Sequence, residues 1–121
     1  MIDYQWISGD NGGYVAGLVD GGRMESERDA LDLVAACGEY GSTRLLLLAE
    51  NLGEDFYNLR TGLAGAALLK FSNYRLKVAA VVPEERMQGR FGEMAQEANR
   101  RNHEFHVFVA PAAAEAWLLA E

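Results

Sequence analysis

Leu45-Leu46-Leu47-Leu48 is the stretch on which the fold turns. It is too short and too uniformly apolar for a surface helix, so it reads as a strand buried on both faces, as in a parallel sheet. Two later runs have the same character: Leu76-Lys77-Val78-Ala79-Ala80-Val81-Val82, stopped by Pro83, and Phe105-His106-Val107-Phe108-Val109. Helical patterns lie between and after them, from about Phe56 to Asn73, from about Phe91 to Arg101, and from Pro111 onward, where proline suits a first helical turn.

Upstream, Ser26 precedes a helix in which Ala30, Leu33, Val34 and Cys37 recur at helical spacing, with Gly38 or Gly41 as its stop. The chain opens with alternation: Ile2, Tyr4 and Trp6 on one side, Asp3 and Gln5 on the other. Asp10-Asn11-Gly12-Gly13 supplies the positive φ of a tight hairpin turn, and Tyr14 to Val19 returns as a strand. The order is therefore β, β, α, β, α, β, α, β, α. It predicts one α/β domain over residues 1–121, with a single mixed sheet of about five strands, an N-terminal hairpin, and helices packed against the sheet.

Composition narrows the function. The chain has 121 residues, half of them hydrophobic, which is enough for one core and not for two. Eleven basic side chains against 18 acidic ones give a net charge of −7, which argues against nucleic acid or a membrane surface as partner. The densest basic stretch, Arg86 to Arg101, is interleaved with Glu93 and Glu97 and reads as a solvated helix face. No secretory leader or membrane-spanning run is visible, and one cysteine forms no internal disulfide, so the expected location is the cytoplasm.

Candidate chemistry concentrates in Glu50 to Gly65, which follows a buried strand and leads into a helix. Open α/β sheets carry their sites at such carboxyl ends of strands. Glu50, Glu54 and Asp55 are of the type that forms an acid and base pair or holds a hard cation; the plainer reading has Glu54 and Asp55 complementing a helix dipole. Gly62 and Gly65, inside the expected helix, suggest close packing against the sheet or another chain, and the spacing fits no phosphate-binding loop. Cys37, on an apolar helix stripe, is expected to be buried and unreactive. His103 and His106 lack ligand spacing, so no metal or other cofactor and no catalytic residue is assigned.

From Leu45 to Val82, and more loosely along the whole chain, the sequence resembles a family of uncharacterised small bacterial and archaeal proteins. The residues that carry this are Glu54-Asp55-Phe56-Tyr57-Asn58-Leu59, Thr61-Gly62-Leu63-Ala64-Gly65, Lys70-Phe71, Asn73-Tyr74 and Glu97-Ala98-Asn99-Arg100. A remoter similarity is to STAS domains, the fold of anti-sigma factor antagonists, whose signature Asp-Ser-Ser-Gly-Leu falls on Leu59-Arg60-Thr61-Gly62-Leu63. Gly62 and Leu63 match; the serine that a partner kinase phosphorylates falls on Arg60, leaving Thr61 as the hydroxyl in reach.

The resemblance implies a non-enzymatic binding or regulatory module that meets a protein partner, or a second copy of itself, at the start of the second helix. Glu54, Asp55, Asn58, Arg60, Thr61 and Gly62 are the candidate residues. Two alternatives stand beside it. One is a sensor that holds a small anion or metabolite at that helix start, with Arg60 as counter-charge. The other is an enzyme built on Glu50, Glu54, Asp55 and Arg60. A partner module is expected to show an apolar patch beside Thr61, a sensor an enclosed cavity, and an enzyme converging carboxylates with shifted pKa values.

Overall fold

The computed structural model describes residues 1–9, 12–101 and 104–120. Strand β1 (Tyr4–Gly9) pairs antiparallel with β2 (Gly12–Gly17), with Trp6 opposite Val15 and Gly9 opposite Gly12. The expected hairpin is present, although Asp10 and Asn11 of its turn lie outside the described residues. Helix α1 (Glu27–Glu39) follows, with Ser26 at its N-cap. The Asp29 carboxylate reaches back to accept the backbone N–H groups of Glu25 and Ser26.

Strand β3 (Arg44–Leu48) runs parallel to β2 and β4 (Lys77–Val81), and β4 runs parallel to β5 (Phe105–Phe108). The sheet order is β1-β2-β3-β4-β5, so sequence neighbours are spatial neighbours throughout. Between β3 and β4 lie α2 (Ala49–Leu52), α3 (Glu54–Tyr57), a 3₁₀ turn (Leu59–Thr61) and α4 (Leu63–Asn73). A second 3₁₀ turn (Glu84–Arg86) and α5 (Gly89–Arg101) join β4 to β5, and α6 (Pro111–Leu119) follows β5 with proline in its first turn.

Period-two alternation divides the strand residues between two unequal cores. Val15, Leu45, Leu47, Val78, Ala80, Phe105 and Val107 join the larger cluster with α1, α4 and α5. Tyr14, Ala16 and Ala79 face the other way, onto Ala114 and Leu118 of α6. One nine-residue helix does not cover that face, so Leu46 and Leu48 are only half-buried and β3 is not enclosed on both sides as its sequence predicts. Cys37 is fully buried, and burial pushes its thiol pKa up to about 11, which keeps it protonated at neutral pH.

The uninterrupted helix expected from Phe56 to Asn73 is instead three pieces. Gly53 and Gly62 take φ of 77° and 80°, a left-handed backbone that no helix interior contains. Gly62 is therefore the N-cap of α4 and not an interior residue. Gly62 and Gly65 are not packed closely against the sheet as expected, because a Cβ at either position would meet nothing of this chain within 4 Å.

Candidate functional site

The path of the chain beyond β3 is set by Asn51, which with Asp29 makes up the buried polar and charged residues among those described. Its Oδ1 accepts the Leu48 N–H at 2.9 Å, while its Nδ2 donates to the Leu18 and Gly22 carbonyls at 2.8 and 3.1 Å. Its own carbonyl accepts the Met24 N–H at 2.7 Å. One side chain thus ties the end of β3 to the loop after β2. Gly17 makes room for it, since a Cβ there would lie 2.4 Å from Asn51 Oδ1.

From this brace, α3 places Phe56 in the core and Tyr57 at its margin. The Tyr57 hydroxyl donates to the Ala49 carbonyl at 3.1 Å, and its ring meets Phe91 edge-on at 4.9 Å between centroids. Arg86 lies over the same ring, 4.1 Å from its centroid, and binds the Glu54 carboxylate through both terminal guanidinium nitrogens. This cation holds the Glu54 carboxyl below the usual carboxylate range, while burial pushes the Tyr57 phenol up to about 12. Glu54 is thus ionised and occupied, the wrong state for a general acid.

Asn58 to Gly62 then form a small exposed knuckle that is bonded within itself. Asn58 Oδ1 accepts the Arg60 N–H at 3.2 Å, an Asx turn that starts the 3₁₀ segment. The Thr61 hydroxyl approaches the carbonyls of Asp55 and Asn58 and accepts the Leu63 N–H at 3.2 Å. The first amide of α4 therefore already has a partner within the knuckle. Asp55 contributes its carbonyl to the knuckle, and its side chain is exposed.

Beside the knuckle is an open cleft of about 440 Å³. Its walls are the segment after β3, with Tyr57, Asn58, Leu59 and Arg60, and the segment after β4, with Glu85, Arg86, Gln88, Arg90 and Phe91. It therefore sits at the carboxyl ends of two adjacent parallel strands. Of the six candidate residues, Asn58 and Arg60 line it and Glu54 is joined to it through Arg86. Asp55, Thr61 and Gly62 shape the knuckle without lining the cleft.

The sequence reading missed Arg86 and Arg90. Both belong to the basic stretch assigned to a solvated face, but only its later half behaves so: Glu97 pairs with Arg100 and Arg101 at 2.8 and 2.9 Å. The available signal was that Arg86 and Arg90 precede Glu93 and Glu97 and therefore stand outside the interleaved charges. Among the described residues, no group of three His, Cys, Asp or Glu side chains gathers as a metal ion requires, and no helix is long and apolar enough to cross a membrane. His106 stacks on Trp117 at 4.4 Å, and His103 lies outside the described residues.

A search of curated proteins and a search of solved structures return no match. Residues 12–118 match a family described as Domain of unknown function (DUF4180), which spans both walls of the cleft, the Asn51 brace and all strands but the first. The chain belongs to that family.

Proposed function

We propose that the chain is a non-enzymatic binding and regulatory module of STAS-like organisation, acting in the bacterial or archaeal cytoplasm on a protein partner through the face around Asn58 to Thr61. The observation that carries this reading is the knuckle. Its backbone is fixed by its own side chains, while Asn58, Arg60 and Thr61 remain exposed beside an open cleft at the carboxyl end of the sheet. A pre-organised, solvent-facing edge of this kind loses little conformational entropy on docking. The STAS-like reading is supported by the hairpin followed by βα units, and by Gly62-Leu63 standing where α4 begins.

Partner binding is favoured over a phosphorylation switch at Thr61, because that hydroxyl already serves three backbone groups of the knuckle. It is favoured over an enzyme because Glu54 is committed to Arg86. The test is a photo-crosslinking residue placed at position 58 or 60 in the chain expressed in its own cells, with position 39 at the opposite end of the sheet as reference. Crosslinks to one protein from 58 and 60 and not from 39 are expected, and the adduct mass separates a second copy from a different protein. Equal crosslinking from all three positions, or none from 58 and 60, overturns the reading.

A further inference from the structure

We infer that the cleft beside the knuckle receives a carboxylate-bearing segment of the partner, an acidic peptide whose charged group lies between Arg60 and Arg90 and whose apolar neighbour rests on Tyr57, Leu59 and Phe91. The inference rests on the proposed partner-binding role and adds the chemistry of what is bound.

The charge pattern is the first argument. The chain carries a net charge of −7 and 18 acidic side chains, so a lone guanidinium has abundant potential partners. Arg28, Lys70, Arg86, Arg100 and Arg101 take them, pairing with Asp32, Glu27, Glu54 and Glu97. Arg60 and Arg90, on opposite walls of one cleft, form no ion pair among the described residues. Arg86, which lines the same cleft, is held by Glu54 and the Tyr57 ring, so its charge is already offset and Arg60 and Arg90 are the cleft cations left for a ligand. A guanidinium presents a planar fork of donors that matches a carboxylate, and two of them in one concavity select for an anion.

The walls argue for what accompanies the charge. Tyr57 and Phe91 meet edge-on, Leu59 is half-buried, and all three line the cleft as its apolar part. A free inorganic ion would leave that surface uncovered. Glu85 also lines the cleft, and its carboxylate disfavours a dianion more than a monoanion, which selects a carboxylate over a phosphate. The cleft is open to solvent, whereas small-molecule sites enclose most of their ligand, which favours a peptide.

The test uses the intact chain and a fluorescently labelled peptide of alternating glutamate and leucine, with a glutamine-for-glutamate peptide as blank. Binding that weakens with salt is expected for the acidic peptide and not for the blank. The double variant Arg60→Gln, Arg90→Gln should weaken it by roughly tenfold or more, whereas Arg28→Gln, on the exposed face of α1, should leave it unchanged. Circular dichroism confirms that each variant is folded. Equal binding by the double variant, equal binding of the blank, or displacement of the peptide by millimolar inorganic phosphate would overturn the assignment. If the peptide fails while positions 58 and 60 still crosslink one protein, the partner-binding reading survives and the acidic-segment inference falls; if crosslinking fails, both fall.

Discussion

Asn51 and Asn58 stand seven residues apart on the same connection, and both spend their side-chain oxygen on a backbone N–H. Asn51 does so in a site sealed from water, with three side-chain bonds that span from β3 to the loop after β2. Asn58 does so in solvent, with one bond two residues along. The same chemistry therefore has different weight. In the dry site an unmade bond leaves a polar group without water, whereas at the knuckle water replaces what is lost. Stability is concentrated at the brace, and the knuckle is left free to vary in what it presents to a partner.

The sharpest way to break that comparison is at Asn51. Asn51→Ala removes three side-chain hydrogen bonds and takes from the Leu48 N–H its side-chain acceptor, while the Leu18 carbonyl keeps the Gly21 N–H, so a loss of about 2–3 kcal/mol in unfolding free energy is expected. Asn58→Ala should change it by less than about 1 kcal/mol, since its partner amide is exposed. Urea unfolding of the two variants makes the measurement. Equal effects at the two positions would mean that burial does not set the difference.

A finer probe lies in two glycines, Gly62 closing the knuckle and Gly65 inside α4, where the expected effects have opposite signs. Gly62 has open space around it but a φ of 80°, so Gly62→Ala should destabilise by about 1 kcal/mol through backbone strain alone. Gly65 has open space and lies inside α4 with no such φ, so Gly65→Ala should stabilise by about 0.5–1 kcal/mol. Thermal melts of the two variants distinguish this from tight packing, in which both substitutions would destabilise.

How far the sequence reveals this depends on the kind of signal. Strands announce themselves by period and run length, and β3, β4 and β5 lie within a residue or two of the apolar runs that predict them. The break at Gly62 was hidden because Leu59, Leu63 and Ala67 keep a helical spacing across it, and spacing does not report φ. Asn51 was equally hidden. Its role depends on carbonyls from residues 18 and 22, more than 25 positions away, which no local pattern encodes. Arg60 was visible because it adjoins the β3 end, but Arg90 reaches the same cleft only because β3 and β4 are neighbours in the sheet. Asn99 shows a motif residue acquiring a structural reason: its side chain exchanges two bonds with the backbone of Val107, at 2.7 and 2.9 Å, on the outer strand of the sheet. That pairing occupies donors and acceptors that an edge strand otherwise offers to other chains.

The smallest effect is expected where the brace and the knuckle meet, at the Glu54–Arg86 pair. Arg86 lowers the pKa of Glu54 by donating to its carboxylate, so the folded value lies below that of the unfolded chain. A carboxyl with a depressed folded pKa stabilises above its unfolded pKa, and the contribution disappears as pH falls through the folded value. The pair should therefore be intact at neutral pH and lost only in acid below the usual glutamate range. Glu54 is fully solvent-exposed, so screening makes the stability change slight, and salt should reduce it further. What changes more is position, because Arg86 is held against Tyr57 partly by that carboxylate. Carbon-detected NMR titration of Glu54 should give a pKa below the ordinary glutamate value, and Arg86→Met should return it to that value while Tyr57 and Phe91 resonances shift. A normal Glu54 pKa in the unaltered chain would remove the clamp, and with it the claim that Arg86 enters the cleft from a fixed position while Arg60 and Arg90 are left to bind.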